Sequence, residues 1–155
     1  MKYLILFLVI FPAYFFSQSI PSEKLDKRME ILKNAEEYLG LKYRSKVGKH
    51  IFDCSGFVRF LMAEIGENIT RSSVTQIHDG KRITDLKNAK PGDIIVFKGR
   101  NFRNNRPGHV ALVHHWSNDT LYFIHASVSK GIKLDKITDP YYAKRILQVR
   151  DILSH

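Results

Sequence analysis

Two apolar runs, residues 109–116 and 121–126, flank the four polar residues Ser117-Asn118-Asp119-Thr120. Valine, isoleucine, leucine and aromatic side chains fill both runs, and an Asn-Asp pair between them is turn chemistry. This pattern predicts a β-hairpin, and so commits the second half of the chain to an antiparallel sheet. Ile94-Ile95-Val96-Phe97, after the turn signal Pro91-Gly92-Asp93, reads as a buried strand, and residues 131–134 as a further one. The closing stretch, residues 141–153, carries Ile146, Val149 and Ile152 as its apolar content. Upstream the spacing is helical. With Ser22 as cap and Gly40 as stop, Leu25, Met29, Leu32, Ala35 and Leu39 fall on one helix face. Phe57, Phe60, Leu61 and Ile65 form a second helical series that Gly66 ends, and residues 71–76 form a short helical piece. Residues 41–51 read as a basic loop, and residues 81–90 as polar connection. Helices first and an antiparallel sheet second make the class α+β.

The 155 residues begin Met1-Lys2, run apolar through residues 3–16 and reach Ser17-Gln18-Ser19. A basic start, a short apolar run and small residues describe a secretory signal peptide, cut after Ser17 or Ser19. The run is shorter than the roughly 20 residues a membrane span needs, so no stable span is expected after cleavage. The expected layout is a signal peptide over residues 1–19 and one domain over residues 20–155. The product is exported, to the periplasm or the cell exterior. A formal charge of +10 suits an anionic partner such as an acidic envelope polymer or a membrane surface. Export argues against nucleic acid. Arg100, Arg103 and Arg106, in the basic stretch 98–107, are candidates for contacting an anionic polymer. An ordinary solvated loop is the plainer account of these three.

The chain has a single cysteine, in Asp53-Cys54-Ser55-Gly56 at the start of the second helical series. Unpaired N–H groups and the macrodipole at a helix N-terminus favour a thiolate. In an oxidising compartment a lone cysteine is either an inert core residue or a reactive thiol. A reactive thiol needs a base within hydrogen-bond reach and a third group to orient that base. Of seven histidines, His50 and His78 lie in loops and His155 is terminal, which leaves four on the hairpin. His109 and His115 share a face but stand about 20 Å apart at ~3.3 Å per residue, and His114 points the other way. A turn over residues 117–119 sets His125 opposite Ala111, diagonal to His109 and within side-chain reach. A slip of one residue sends His125 to the wrong face. Cys54 as nucleophile, His109 as base and His125 as orienter follow, against the commoner reading of such residues as structural. A carboxylate at Asp53 opposes a thiolate unless a helix-cap bond or a substrate ammonium engages it. Zinc is not expected, since the paired close spacings of zinc sites are missing, and no glycine-rich phosphate cradle is present. No cofactor is expected.

Four stretches appear in order: Phe52-Asp53-Cys54-Ser55-Gly56-Phe57-Val58, Pro91-Gly92-Asp93-Ile94-Ile95-Val96-Phe97, Gly108-His109-Val110-Ala111-Leu112-Val113 and Phe123-Ile124-His125-Ala126-Ser127. A closing Tyr142-Ala143-Lys144-Arg145 follows. Together they resemble the NlpC-type cell-wall cysteine peptidases, over essentially the whole chain beyond the leader. The resemblance implies a papain-like core, with the nucleophile helix packed on a small antiparallel sheet. It implies Cys54 as nucleophile, His109 as base and His125 as orienter. It also implies Tyr43, Asp53 and Ser55 as residues holding the free amino group of the substrate. The implied substrates are peptidoglycan stem peptides or muropeptides, cut between γ-D-glutamate and the diamino acid. After Tyr43 the stretch Arg44-Ser45-Lys46-Val47-Gly48-Lys49 departs from the family's tryptophan and paired glycines. Two other readings stand beside hydrolysis. One is different papain-like amide chemistry, including acyl transfer or a wall-degrading toxin, and the other is a non-catalytic envelope-binding module.

Overall fold

A computed structural model describes residues 22–154, with side chains from residue 26 onward. The expected signal peptide over residues 1–19 lies outside the described residues. Helix α1 spans Ser22–Glu36, and its buried stripe is Arg28, Ile31 and Ala35. Leu39, 45% exposed, lies beyond the helix, which ends at Glu36 and not at Gly40 as expected. Met29 is 62% exposed, so the expected apolar face is turned there. Arg28 causes the difference. Its guanidinium bonds Asp93 at 2.9 Å and Asp151 at 2.8 Å, all three side chains being buried. A residue that counts as polar in the pattern therefore faces inward, because two carboxylates meet it there.

Helix α2, Cys54–Glu64, starts where Asp53 caps it, the carboxylate accepting the Gly56 N–H at 2.7 Å. It ends before Gly66, whose φ of +80° gives the chain its reversal. The expected loop before it folds on itself as a small hairpin, β1 Lys46–Val47 with β2 His50–Ile51. Helix α3, Ser73–Gln76, carries a capping box built on Ser72 and Thr75. Strand β3, Lys81–Ile83, lies where only polar connection was expected. It is an edge strand with exposed lysine and arginine, so it lacks the apolar alternation that marks a strand in sequence. A 3-10 helix at Leu86–Asn88 follows.

The remaining elements are β4 Ile94–Lys98, β5 Pro107–Ser117, β6 Thr120–Ser127, β7 Gly131–Lys136, helix α4 Pro140–Ala143 and β8 Ile146–Asp151. Six strands form one sheet in the order β3-β8-β4-β5-β6-β7, every neighbouring pair antiparallel. One face, with Val110, Leu112, Ile124 and Ala126, packs on Phe57 and Leu61 of α2 and Ile31 of α1. The other face holds Ala111, Val113 and Phe123 against Ala89, Ile137 and Tyr142. Burial on both faces explains the unbroken apolar runs. The architecture is α+β, with the helix that begins at Cys54 lying on the sheet.

The hairpin reaches the expected face by a different route. Asn118 and Asp119 both have left-handed φ, 46° and 57°, which makes a two-residue turn that pairs Ser117 with Thr120 and His115 with Tyr122. Continued unchanged, that register would set His125 opposite Leu112, on the helix-covered face. A bulge between Val113 and His115 resets the pairing to Val113 with Phe123 and Leu112 with Ile124. The tighter turn and the bulge cancel. Ala111 is then the residue in register with His125, and His125 shares a face with His109.

Candidate active site

The β5–β6 ladder ends at Leu112 and Ile124. Nearer the start of β5, the Val110 N–H is directed at the sulfur of Cys54. The helix start and the strand start thus meet at the thiol. Cys54 is half-buried and unpaired. Burial is the largest influence on it and pushes the thiol pKa up. The N–H groups of Val110, Ser55 and Cys54 itself work downward, and the charge of Asp53 adds to the rise. The helix end therefore does not make a resting thiolate, contrary to the expectation from position alone. Desolvation outweighs it, and Cys54 rests as a thiol.

His109 follows Gly108, where a register shift interrupts the β4–β5 ladder. A Cβ on Gly108 would collide with the Gly99 backbone, so only glycine lets these two strands cross that closely. The Nε2 of His109 lies 2.9 Å from Nδ1 of His125. The two rings stand edge to face, 4.9 Å between centroids. His125 Nε2 in turn lies 2.8 Å from Oδ2 of Asp135 on β7. Burial drives the His109 pKa down to about 3, and a proton on His125 would push it the same way. Burial also lowers His125, against the pull of Asp135. Both imidazoles are neutral at physiological pH. A cavity of about 410 Å³ opens against this line, walled by His109, His125, Asp135, Tyr142, Val128 and Tyr141.

Tyr43 packs partly buried beside Cys54, and its hydroxyl oxygen accepts the Cys54 N–H. Burial raises its pKa, and the charge of Asp53 adds to the effect, so it remains a phenol. Asp53 uses both carboxylate oxygens. Oδ1 takes the Gly56 N–H and Arg71 Nη1 at 3.1 Å, and Oδ2 takes Arg71 Nη2 at 2.8 Å. Arg71 also donates to Ser55 Oγ at 3.0 Å. Burial would raise the Asp53 pKa, but the hydrogen bonds from Arg71 and Gly56 hold it below the usual carboxylate range. The helix-cap engagement foreseen for Asp53 is present, and Arg71 stands where a substrate ammonium was the alternative.

Tyr43, Asp53, Ser55 and the Val110 N–H thus border Cys54, and the hydrogen-bonded line of His109, His125 and Asp135 starts one residue before Val110 on the same strand. Among the described residues, His50, His114 and His115 do not join that line. His114 bonds His115 at 2.8 Å and Glu36 at 2.9 Å, and His50 packs on Phe60. Arg100, Arg103 and Arg106 are exposed on the β4–β5 loop, and among the described residues none makes an ion pair. Arg71 and Asp135 carry no sequence signal. Each reaches the site through strand or loop placement that no local spacing encodes.

The family model for NlpC/P60 proteins matches residues 40–151. Among characterised sequences, the chain is 30% identical over 132 residues to the murein DD-endopeptidase MepS/murein LD-carboxypeptidase of Escherichia coli K12. The match covers 84% of this chain and 65% of that protein, so the chain spans just under two thirds of this relative. It is also 30% identical over 119 residues to a probable endopeptidase NlpC homolog of Haemophilus influenzae, covering 76% of this chain and 58% of that protein. An NlpC/P60 family protein from Bacillus cereus superposes with a TM-score of 0.70 at 24% identity, over 81% of this chain and 40% of that one.

Proposed function

Because the chain belongs to the NlpC/P60 family, we propose that it is an exported cysteine endopeptidase that hydrolyses amide bonds in peptidoglycan stem peptides. Residues 1–19 act as its signal peptide and residues 20–155 as its single peptidase domain. The observation that carries the reading is the 2.9 Å bond between His109 and His125, on a strand whose next N–H meets the Cys54 sulfur. A free thiol, a neutral imidazole and an orienting group are the parts that acyl transfer through sulfur requires.

Thiol and imidazole both start uncharged. The Cys54 sulfur attacks the scissile carbonyl carbon as its proton passes to His109, so charge separates only during the reaction. The carbonyl oxygen, now anionic, takes hydrogen bonds from the Cys54 N–H and the Tyr43 hydroxyl. His109 returns the proton to the departing amine as the C–N bond breaks, leaving a thioester. Water, activated by the same imidazole, then releases the acid and regenerates the thiol. No cofactor enters any step.

The scissile bond is assigned to γ-D-glutamyl–diamino acid. A second reading is favoured by the E. coli relative, which is named for DD-endopeptidase and LD-carboxypeptidase activity. The relative from Bacillus licheniformis is named for DL-endopeptidase activity. Mass spectrometry of defined muropeptides incubated with wild type and Cys54→Ala decides among these. Cleavage by wild type alone, with products split after D-glutamate, is the expected result. Products of opened cross-links or of trimmed stem ends favour the second reading. Unaltered peptides with both proteins point to a non-catalytic envelope module.

A further inference from the structure

The hydrogen bonds behind His109 continue past His125 to a carboxylate that no sequence motif marks. We propose that Asp135 is a positioning residue, whose carboxylate fixes which nitrogen of each histidine carries the proton and so leaves the lone pair of His109 on Nδ1. The proposal rests on the reading of His109 as the base and extends it.

The assignment follows from counting donors. Asp135 receives Lys133 Nζ on Oδ1 at 2.6 Å, and His125 Nε2 and the Tyr142 hydroxyl on Oδ2 at 2.8 and 3.1 Å. Burial alone would raise its pKa, yet hydrogen bonds from Lys133 and His125 hold it low, so it is ionised and can only accept. His125 must therefore carry its proton on Nε2. A neutral ring protonated there has a bare Nδ1, which can only accept from His109. His109 then carries its proton on Nε2, and its one free lone pair is on Nδ1. The proton taken from Cys54 arrives at that atom.

Without Asp135 the line can run in reverse, with His125 donating from Nδ1 and His109 holding its proton on Nδ1, where it is useless as a base. The groups facing Asp135 are His125 from β6, Lys133 on its own strand and Tyr142 from α4, while Asp139 and Tyr141 border the same cavity. Burial and the Asp135 charge raise the Tyr142 pKa, so its hydroxyl remains a donor.

The neighbours dictate an unusual order of severity. In Asp135→Asn the amide has one oxygen, and the Lys133 ammonium claims it. The NH2 group then faces His125 Nε2 and forces that nitrogen to accept, which reverses both tautomers. Asp135→Ala merely removes the preference. Asp135→Asn should therefore lower kcat on a cleaved stem peptide by about 10²- to 10⁴-fold, as expected for a wrong tautomer, with KM little changed. Asp135→Ala should lose less. Adding Lys133→Met to Asp135→Asn lets the amide turn and restores part of kcat. In 15N-detected NMR of the imidazoles, the His109 proton should sit on Nε2 in wild type and on Nδ1 in Asp135→Asn. Thermal melts confirm folding of each variant. A purely structural role gives the opposite order, with the isosteric Asn milder than Ala and tautomers unchanged, and that result overturns the proposal. If wild type cleaves no stem peptide, the endopeptidase reading fails, and the NMR comparison still judges Asp135.

Discussion

Cys54 and His109 show how burial, not position in the chain, sets the charge at this site. The helix start offers N–H groups to the sulfur, but desolvation prevails and the thiol stays protonated. The same desolvation keeps His109 neutral, and this has a consequence for stability. Its folded pKa of about 3 lies below the ordinary 6.5, so between these values the unfolded chain binds a proton that the folded chain does not. Stability from this group is complete above pH 6.5 and is lost progressively as pH falls toward 3. Thermal midpoints measured from pH 7.5 to 4 should fall in wild type. The fall should be shallower in His109→Gln, which has no proton to gain; equal slopes would contradict the half-buried, neutral imidazole.

At the scale of elements, the β5–β6 hairpin carries the geometry. Its two-residue turn sets a register that would hide His125 among the core residues under α2, and the bulge before His115 brings it back. Asp119 holds φ at 57°, a conformation that costs a non-glycine residue and that glycine adopts freely. Asp119→Gly gives the Asn-Gly pair preferred in such turns. It should stabilise the protein by about 0.5–1 kcal/mol, read as a shift in the urea midpoint, with kcat on stem peptides unchanged. A loss of activity would mean that the register depends on Asp119 itself. Helix α2 is simpler: an Asx cap, an apolar stripe and a terminal glycine make it readable from its own residues.

Over the whole molecule, Arg28 ties α1 to two neighbouring strands of the sheet. From α1 it reaches the Pro91 carbonyl, Asp93 at the head of β4, and Asp151 at the end of β8. Removing one partner from a buried ionic cluster leaves the others charged and unpaired. Arg28→Ala should therefore cost about 3–5 kcal/mol, measured by chemical denaturation, well above the cost expected from its exposed neighbour Met29→Ala. A comparable small loss for both would show that the cluster contributes little. The cationic β4–β5 loop stands apart from this framework, with arginines that no acidic side chain among the described residues engages.

The face shared by His109 and His125 depends on the bulge between Val113 and His115, whereas the local pattern by itself determined the two helices, the hairpin and the buried strands. Those features are written in residues close together in the chain, through periodicity, caps and turn chemistry. The tertiary structure alone decided the inward turn of Arg28, the edge strand β3, the clasp of Arg71 on Asp53, and Asp135 behind His125. It also decided the protonation of Cys54. The reason is the same in each case: these depend on which groups meet across the fold and how much water is excluded when they do, and neither quantity has a period along the chain.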